Sequence, residues 1–320
     1  MNKIMESPVH VGVSSCLLGE NVRYDGGHQL NHFIRDILGR FFHFVPVCPE
    51  YECGLGVPRE PLRLVGDPEN PRLVTSKSRV DITEKMTCWA SRRTEELQVE
   101  DLCGFIFKSR SPSSGLYRVK VYNEKGCPVN QGTGLFARAF VEAFPLVPVE
   151  EDGRLSDDAI RENFIERIFV FKRWRAVRAG EQHVRDLMDF HTRHKYLIMA
   201  HSPKHYQLMG RQVAAASRKT LDHDFRSYEI LLSQAMALKA TVAKHVNVLH
   251  HINGYFKRWL TADEKVEILE IIENYRSGFI PLIVPVTLVN HYVRKNGESY
   301  LAGQVYLNPH PLELKLRNHA

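Results

Sequence analysis

Phe41-Phe-His-Phe-Val-Pro-Val47 runs without a polar spacer into Cys48-Pro-Glu50-Tyr-Glu-Cys53-Gly-Leu-Gly56-Val-Pro-Arg59. A short apolar run that ends abruptly in Pro and Gly reads as a buried strand, and the loop at its mouth lies where open α/β sheets keep their ligands. In that loop Cys48 and Cys53 flank a carboxylate, Glu50. Thiolates hold iron or zinc, and a carboxyl beside them can move a proton.

The flanking sequence repeats the pattern. Val9-His-Val-Gly-Val13 is a β-branched run that delivers Ser14-Ser-Cys16, and Asn31 can cap a helix carrying Phe33, Ile34, Ile37 and Leu38 at helical spacing as far as Gly39. Gly104-Phe-Ile-Phe-Lys108 is a third strand, leading into Ser109-Arg-Ser111-Pro-Ser113-Ser114-Gly115. The order strand, loop, helix, strand predicts an α/β N-terminal domain, a Rossmann-like three-layer fold around a parallel sheet. Residues 61–83 show no regular pattern, because Pro61, Pro68 and Pro71 interrupt them; a helix then spans about 84–97, with Cys88 as a small packed residue. Tyr117 to Tyr122 alternates as a further strand, and Gly132-Thr-Gly134 opens a helix over 135–144. Such a glycine-rich helix start can bind an anion, but a single Gly-x-Gly is weak evidence and a plain turn is the better reading.

Pro145-Leu-Val-Pro-Val-Glu-Glu-Asp-Gly153 has the composition of a boundary. Beyond it, Ile160, Phe164, Ile165, Ile168, Phe169 and Trp174 recur at core-facing helical spacing, and further helices fit 183–200, 204–217, 221–240, 242–260, 263–276 and 285–295. The expected organisation is an α/β domain over 1–150, a connecting helix over 151–182 and an all-α helical domain over 183–320.

The 320 residues suffice for two cores. No apolar run approaches the roughly 20 residues that span a bilayer, and the start lacks the apolar core of a signal peptide, so the expected location is the cytoplasm, with no membrane partner. There the six cysteines stay reduced, which favours metal binding or burial over disulfides. Residues 1–150 carry 18 basic and 18 acidic side chains, so the net charge of +6 belongs to the second half, which also holds 12 of the 16 histidines. No dense Lys/Arg block appears in that half, and a solvated surface explains its charge better than a polyanion site does.

If the three strands are parallel, the loops bearing Cys16, Cys48 with Cys53, and Ser111 to Ser114 emerge at one sheet edge. Cys103 enters its strand instead of leaving it, roughly 15–20 Å from that edge at about 3.3 Å per extended residue, and reads as a buried thiol. Cys16, Cys48 and Cys53 can therefore converge, either on an iron-sulfur cluster with one open iron, on a zinc with a fourth ligand, or merely as three buried thiols. In the helical half, His191 and His194 share a helix face but lack a carboxylate-backed third ligand, and read as packed or exposed histidines.

Several motifs carry a resemblance. Ser14-Ser-Cys16-Leu-Leu-Gly19, Val22-Arg-Tyr-Asp25-Gly-Gly27, Val47-Cys-Pro-Glu50, Gly56-Val-Pro-Arg59, Lys108-Ser-Arg-Ser-Pro-Ser-Ser-Gly115 and Gly132-Thr-Gly-Leu-Phe136 resemble the thiouracil desulfurase domain. Val149 to Leu155, Arg161 to Arg167, Asp189 to Lys195 and His250 to Phe256 resemble the helical partner domain of YbgA-like proteins. The resemblance implies a 4Fe-4S cluster held by three cysteines, whose remaining iron takes the sulfur of a thiolated pyrimidine and leaves the oxygenated base. It assigns Cys16 and Cys48 as ligands, Glu50 as the proton-shuttling carboxylate and Ser111 as a serine near the substrate. Asp25, Arg59, Lys108 and Ser113 are candidate substrate contacts. The family's third cysteine falls on Ser114, and a serine hydroxyl is a poor replacement for a readily deprotonated thiol. Cys53 is then the expected third metal ligand, with loss of the cluster as the competing outcome. Two functions follow: desulfuration of a small thiolated base, nucleoside or tRNA, or a non-catalytic module whose basic helical domain binds RNA or a protein partner.

Overall fold

The computed structural model of the chain describes residues 8–319. The chain divides into two compact units, Met1–Asp157 and Asp158–Ala320. In the first, β1 (Val9–Ser14) and β2 (Phe42–Val47) are followed by β3 (Leu62–Gly66), β4 (Pro71–Thr75), α1 (Thr83–Leu97), β5 (Gly104–Phe107), β6 (Val119–Tyr122), β7 (Pro128–Gly132), α2 (Leu135–Ala143) and β8 (Val149–Glu151). The main sheet has the order β2-β1-β5-β8. All its pairings are parallel, with Val11 opposite both Phe44 and Gly104, and Phe105 opposite Val149. The expected parallel α/β sheet is therefore present, and the loops after β1, β2 and β5 leave it at one edge.

The sheet's core is built on aromatic packing. Phe105 lies 4.7 Å from the Phe140 ring and 5.8 Å from the Phe136 ring, both on α2. Gly12 of β1 makes room for it, since a Cβ there would meet the Phe105 ring at 2.2 Å. Trp89 of α1 packs 5.4 Å from Phe136. The neighbouring Cys88, expected to be packed, is exposed instead, because it falls on the solvent face of α1. Cys103 is buried at the entry of β5.

Three local expectations change. The strand expected to be buried, β2, is instead the sheet's edge, with His43 and Pro46 exposed; Pro46 lacks an N–H to donate and suits an edge. Asn31 does cap the following turn, its Oδ1 accepting from Ile34 N at 3.2 Å, but the turn is a five-residue wide helix, Phe33–Ile37, and not a long α-helix. The segment over 61–83 contains the β3–β4 hairpin of a second sheet, ordered β4-β3-β6-β7. Its prolines sit where strands tolerate them: Pro71 and Pro128 open the two edge strands, and Pro61 precedes β3.

The Pro145–Gly153 stretch carries β8, so a strand runs through the expected limit at 150. The second unit is helical: α3 (Asp158–Arg178), α4 (Val184–His201), α5 (Pro203–Ala215), α6 (Leu221–Ala237), α7 (Val242–Asn253), α8 (Ala262–Arg276) and α9 (Ile283–Asn296). Trp174 centres its core, 5.0 Å from the rings of Phe190 and Tyr228. Ser202 caps α5 with Pro203 in its first turn, and Thr261 with Glu264 forms a capping box on α8. His191 and His194 are buried, bonded through Nδ1 to Tyr228 Oη at 3.1 Å and to Phe190 O at 2.8 Å. Both therefore act as packed residues. Among the described residues no helix is long and apolar enough to cross a membrane.

Candidate active site

Parallel strands bring their C-terminal loops to one place, and side chains then lock the loops together. Ser14 Oγ, ending β1, accepts from Lys108 N at 2.9 Å, just after β5. The Lys108 ammonium reaches Asp152 at 3.0 Å beyond β8, and the same carboxylate accepts from Ser109 N at 2.7 Å. Between these loops lies a cavity of 290 Å³ whose wall includes Cys16, Cys48, Glu50, Lys108, Ser111 and Ser114.

Cys16 sits on the short turn Ser15–Leu18, which Gly19 closes at φ 99°. Cys48 N donates to Glu52 Oε1 at 2.6 Å, and Arg93 braces Glu52 from α1 at 3.2 Å. Burial pushes the Cys16 thiol up to about 11, Glu50 adding to the rise against Lys108 and Arg23. Burial also pushes Cys48 up to about 12, again with Glu50 behind it. Both thiols are thus protonated and poor nucleophiles at neutral pH; a bound metal would have to take their protons.

Glu50 is the most heavily held group of the site. Its Oε1 accepts from Ser111 Oγ at 3.2 Å and, in a short contact, from Ser113 Oγ. The two hydroxyls also touch each other at 2.9 Å. Its Oε2 lies 3.8 Å from an Arg59 nitrogen and 3.8 Å from Cys48 Sγ. Arg59 spends its other terminal nitrogen on the carbonyls of Val22 and Gly56, both at 3.0 Å, and so ties the Cys48 loop to the loop after β1.

The serine loop is wound around Ser111 Oγ, which accepts from Ser113 N at 3.3 Å and Ser114 N at 3.1 Å. Gly134 closes on it from α2: an added Cβ would meet Ser113 C and O at 2.4 Å and Ser114 N at 2.7 Å. The α2 N-terminus cannot serve as the anion site considered from its glycines, since Ser113 O accepts from Phe136 N at 2.9 Å and from Ala137 N at 3.2 Å.

The structure sorts the candidate residues. Cys16, Cys48, Glu50, Arg59, Lys108 and Ser111 reach the cavity wall. Ser113, with 0% exposure, stands behind Glu50 instead of facing the cavity. Asp25 is exposed in its turn, accepting from Gly27 N at 3.1 Å and lying 3.7 Å from Arg23, and it does not line the wall. Cys53 is not brought to the wall either: its Sγ donates to Glu50 O at 3.4 Å within the turn Tyr51–Leu55. Among the described residues the thiols of 16, 48 and 53 form no group with all ligand atoms within 4.8 Å, the closeness a single tetrahedral zinc would impose. Two thiols and cationic neighbours suit a soft, anionic group at the wall, but the third donor there is Ser114. Sequence reasoning missed Arg23 as a wall residue and Asp152 as the brace of Lys108. Asp152 was hidden because its stretch reads as a linker.

In the helical unit, ligand atoms of Glu162, Glu166 and His310 fall within 4.8 Å of one another. The carboxylates already have polar partners: Arg317 donates to Glu166 at 2.9 Å, and imidazole nitrogens of His201 and His319 lie 3.0 Å from Glu166 and 2.7 Å from Glu162. These contacts make a buried polar network between α3, α4 and the C-terminal segment.

The 2-thiouracil desulfurase family profile matches residues 11–152, and a profile described as a protein of unknown function, DUF1722, matches residues 195–311. The chain is 31% identical over 133 residues to the uncharacterised protein YbgA of Escherichia coli (strain K12), a match covering 41% of this chain and 79% of that protein. It is 32% identical over 108 residues to the uncharacterised protein YbbK of Bacillus subtilis (strain 168), covering 32% of this chain and 71% of that protein. A solved structure, the [4Fe-4S]-dependent thiouracil desulfidase TudS, is similar at 27% identity over 46% of this chain and 93% of that chain, with a TM-score of 0.38.

Proposed function

The chain belongs to the YbgA family, with a 2-thiouracil desulfurase domain at its N-terminus and a DUF1722 domain at its C-terminus, and on that premise we propose that it removes sulfur from a thiolated pyrimidine in an iron-sulfur-dependent reaction. The substrate class is a 2-thiouracil-like base, taken free, as a nucleoside or within tRNA. The observation that carries this reading is the cavity at the C-terminal ends of β1, β2 and β5, where two buried thiols face a carboxylate held by two hydroxyls and an arginine.

Overall, C=S and water become C=O and hydrogen sulfide. A 4Fe-4S cluster, when bound at Cys16 and Cys48, would supply a soft Lewis acid that prefers the substrate's sulfur to its oxygen. Glu50 is the proton carrier: it reaches the wall, and its oxygens are oriented before substrate arrives. Ser111 both orients Glu50 and presents its hydroxyl to the cavity. Lys108, braced by Asp152, places a positive charge at the wall that favours the anionic forms of a thiolated base. Arg59 holds the Cys48 and Cys16 loops together, and Ser113 holds Glu50 from behind.

The test is anaerobic purification followed by measurement of iron, acid-labile sulfide and sulfide released from 2-thiouracil. The reading expects a brown protein with about four irons per chain and sulfide release abolished by Glu50→Gln. Colourless protein that releases no sulfide, and instead binds RNA with a steep salt dependence, would overturn it in favour of a non-catalytic module.

A further inference from the structure

We infer that the helical unit carries a binding site of its own, a cleft between α4 and α5 that takes the oxyanion of a small molecule, a phosphate or a carboxylate, on His191 Nε2–H and the Arg211 guanidinium. The cleft has a volume of 410 Å³ and is lined by His191 of α4 and by Tyr206, Gln207, Gly210, Arg211 and Ala214 of α5. Tyr206, Gly210 and Ala214 follow one another four residues apart, so a single stripe of α5 forms most of the wall. None of the lining residues carries a carboxylate. Among the described residues the Tyr206 hydroxyl, the Gln207 amide and the Arg211 guanidinium have no hydrogen bond or ion pair.

Packing holds one edge of His191 and leaves the other open. Its Nδ1 lies 3.1 Å from the hydroxyl of Tyr228, which is fully buried. Among the described residues that hydroxyl has no other hydrogen-bond partner, so it donates to Nδ1; the reverse arrangement would bury an unpaired O–H. Burial, with Lys195 adding to it, pushes the imidazole down to about 4, so the ring is neutral at pH 7 and its one proton sits on Nε2. Among the described residues Nε2 has no partner, although His191 is only 8% exposed. Gly210 stands opposite this nitrogen. It is the eighth of the 13 residues of α5, an interior position where glycine destabilises a helix relative to alanine. Packing does not require it, since an added Cβ would meet Nε2 alone, at 3.7 Å, an ordinary contact. The effect of a methyl there would be to cover the free N–H of the imidazole. With its nitrogen lone pair taken up at Nδ1 and no carboxylate beside it, the cleft has nothing to offer a cation. A neutral N–H donor next to an unpaired guanidinium suits an anionic acceptor.

The experiment labels the histidines of the full chain with nitrogen-15 and titrates it at pH 7 and constant ionic strength with inorganic phosphate and, separately, with acetate, following the imidazole resonances. Before any anion is added, His191 should show the tautomer protonated at Nε2, and that resonance should then shift to saturation. Saturation by phosphate alone assigns the site to phosphate-bearing molecules, by acetate alone to carboxylates, and by both to oxyanions at large. Gly210→Ala and Arg211→Gln should each raise Kd about tenfold or more, the loss of one hydrogen bond to a charged group. Arg185→Gln, which removes an exposed cation already paired with Asp189 on α4, should leave Kd unchanged. Circular dichroism checks the fold of each variant, and Arg211→Gln, at an exposed position, keeps the test decisive if Gly210→Ala folds poorly. A ring protonated at Nδ1, no saturable shift with either anion, or a Kd that neither Gly210→Ala nor Arg211→Gln changes would overturn the assignment.

Discussion

Removing the Ser113 hydroxyl should slow the chemistry without weakening substrate binding. Ser113 is fully buried, does not line the cavity, and donates to the same Glu50 oxygen that Ser111 reaches at 3.2 Å. In Ser113→Ala, Glu50 keeps Ser111 and Arg59 but loses its closest donor. A hydrogen bond to a charged group contributes about 1.5–3 kcal/mol, and each 1.4 kcal/mol in a barrier is tenfold in rate. If that stabilisation is used to hold Glu50 where it must pass its proton, kcat should fall about 10- to 150-fold. KM should barely move, because the deleted oxygen never touches the substrate. Ser111→Ala is the contrasting variant: its oxygen both holds Glu50 and faces the cavity, so kcat and KM should change together. The assay is sulfide release from 2-thiouracil by the anaerobically loaded enzyme, with iron content measured on each variant. A Ser113→Ala enzyme with intact kcat and raised KM would refute the reasoning, since it would make Ser113 a substrate contact.

Acid should destabilise the helical unit from an unusually high pH. Burial pushes His191 down to about 4 and both His194 and His245 down to about 3, so below about pH 6.5 the unfolded chain binds protons that the folded chain refuses, and stability falls as pH drops towards 4. Three such groups give a slope of about 4 kcal/mol per pH unit, and a melting temperature that is flat between pH 7 and 5.5 would contradict it. Arg317→Met should cost about 3–5 kcal/mol, read by urea unfolding, because it strips the buried Glu166 of its strongest partner. Burial alone would raise Glu166, and it is Arg317 and His201 that hold it well below the usual carboxylate range. Gly134→Ala should displace the serine loop, costing about 1–3 kcal/mol and most of the sulfide release. Gly254→Ala, whose added methyl meets nothing within 4 Å, should leave both unchanged.

Local chemistry made most of the architecture legible. β-Branched and aromatic runs mark β1 and β5, and the spacing of apolar residues from Ile160 to Trp174 marks α3, because strand and helix periodicity are properties of neighbouring residues. The β3–β4 hairpin stayed hidden, since whether Pro71 breaks a strand or begins an edge depends on which partner lies beside it. β8 was obscured in the same way by a stretch composed like a linker, and Pro46 turned an apparently buried strand into the sheet's rim.

The site divides along the same line. The residue types that suit soft-metal and proton-transfer chemistry, Cys16, Cys48 and Glu50, follow strand ends, and strand ends could be placed from the chain itself. Which side chain faces the cavity could not, because a one-residue change of direction in a loop is set by backbone angles and distant contacts. Ser113 donates to Glu50 while Ser114 lines the cavity wall, and Gly134 from α2 and Ser111 Oγ across the turn fix the backbone between them. The direction of Cys53 is decided likewise, by Gly54 and a lysine 31 residues away in sequence. The amino-acid order specified which donors arrive at the sheet edge; only three-dimensional packing settled which of them meet.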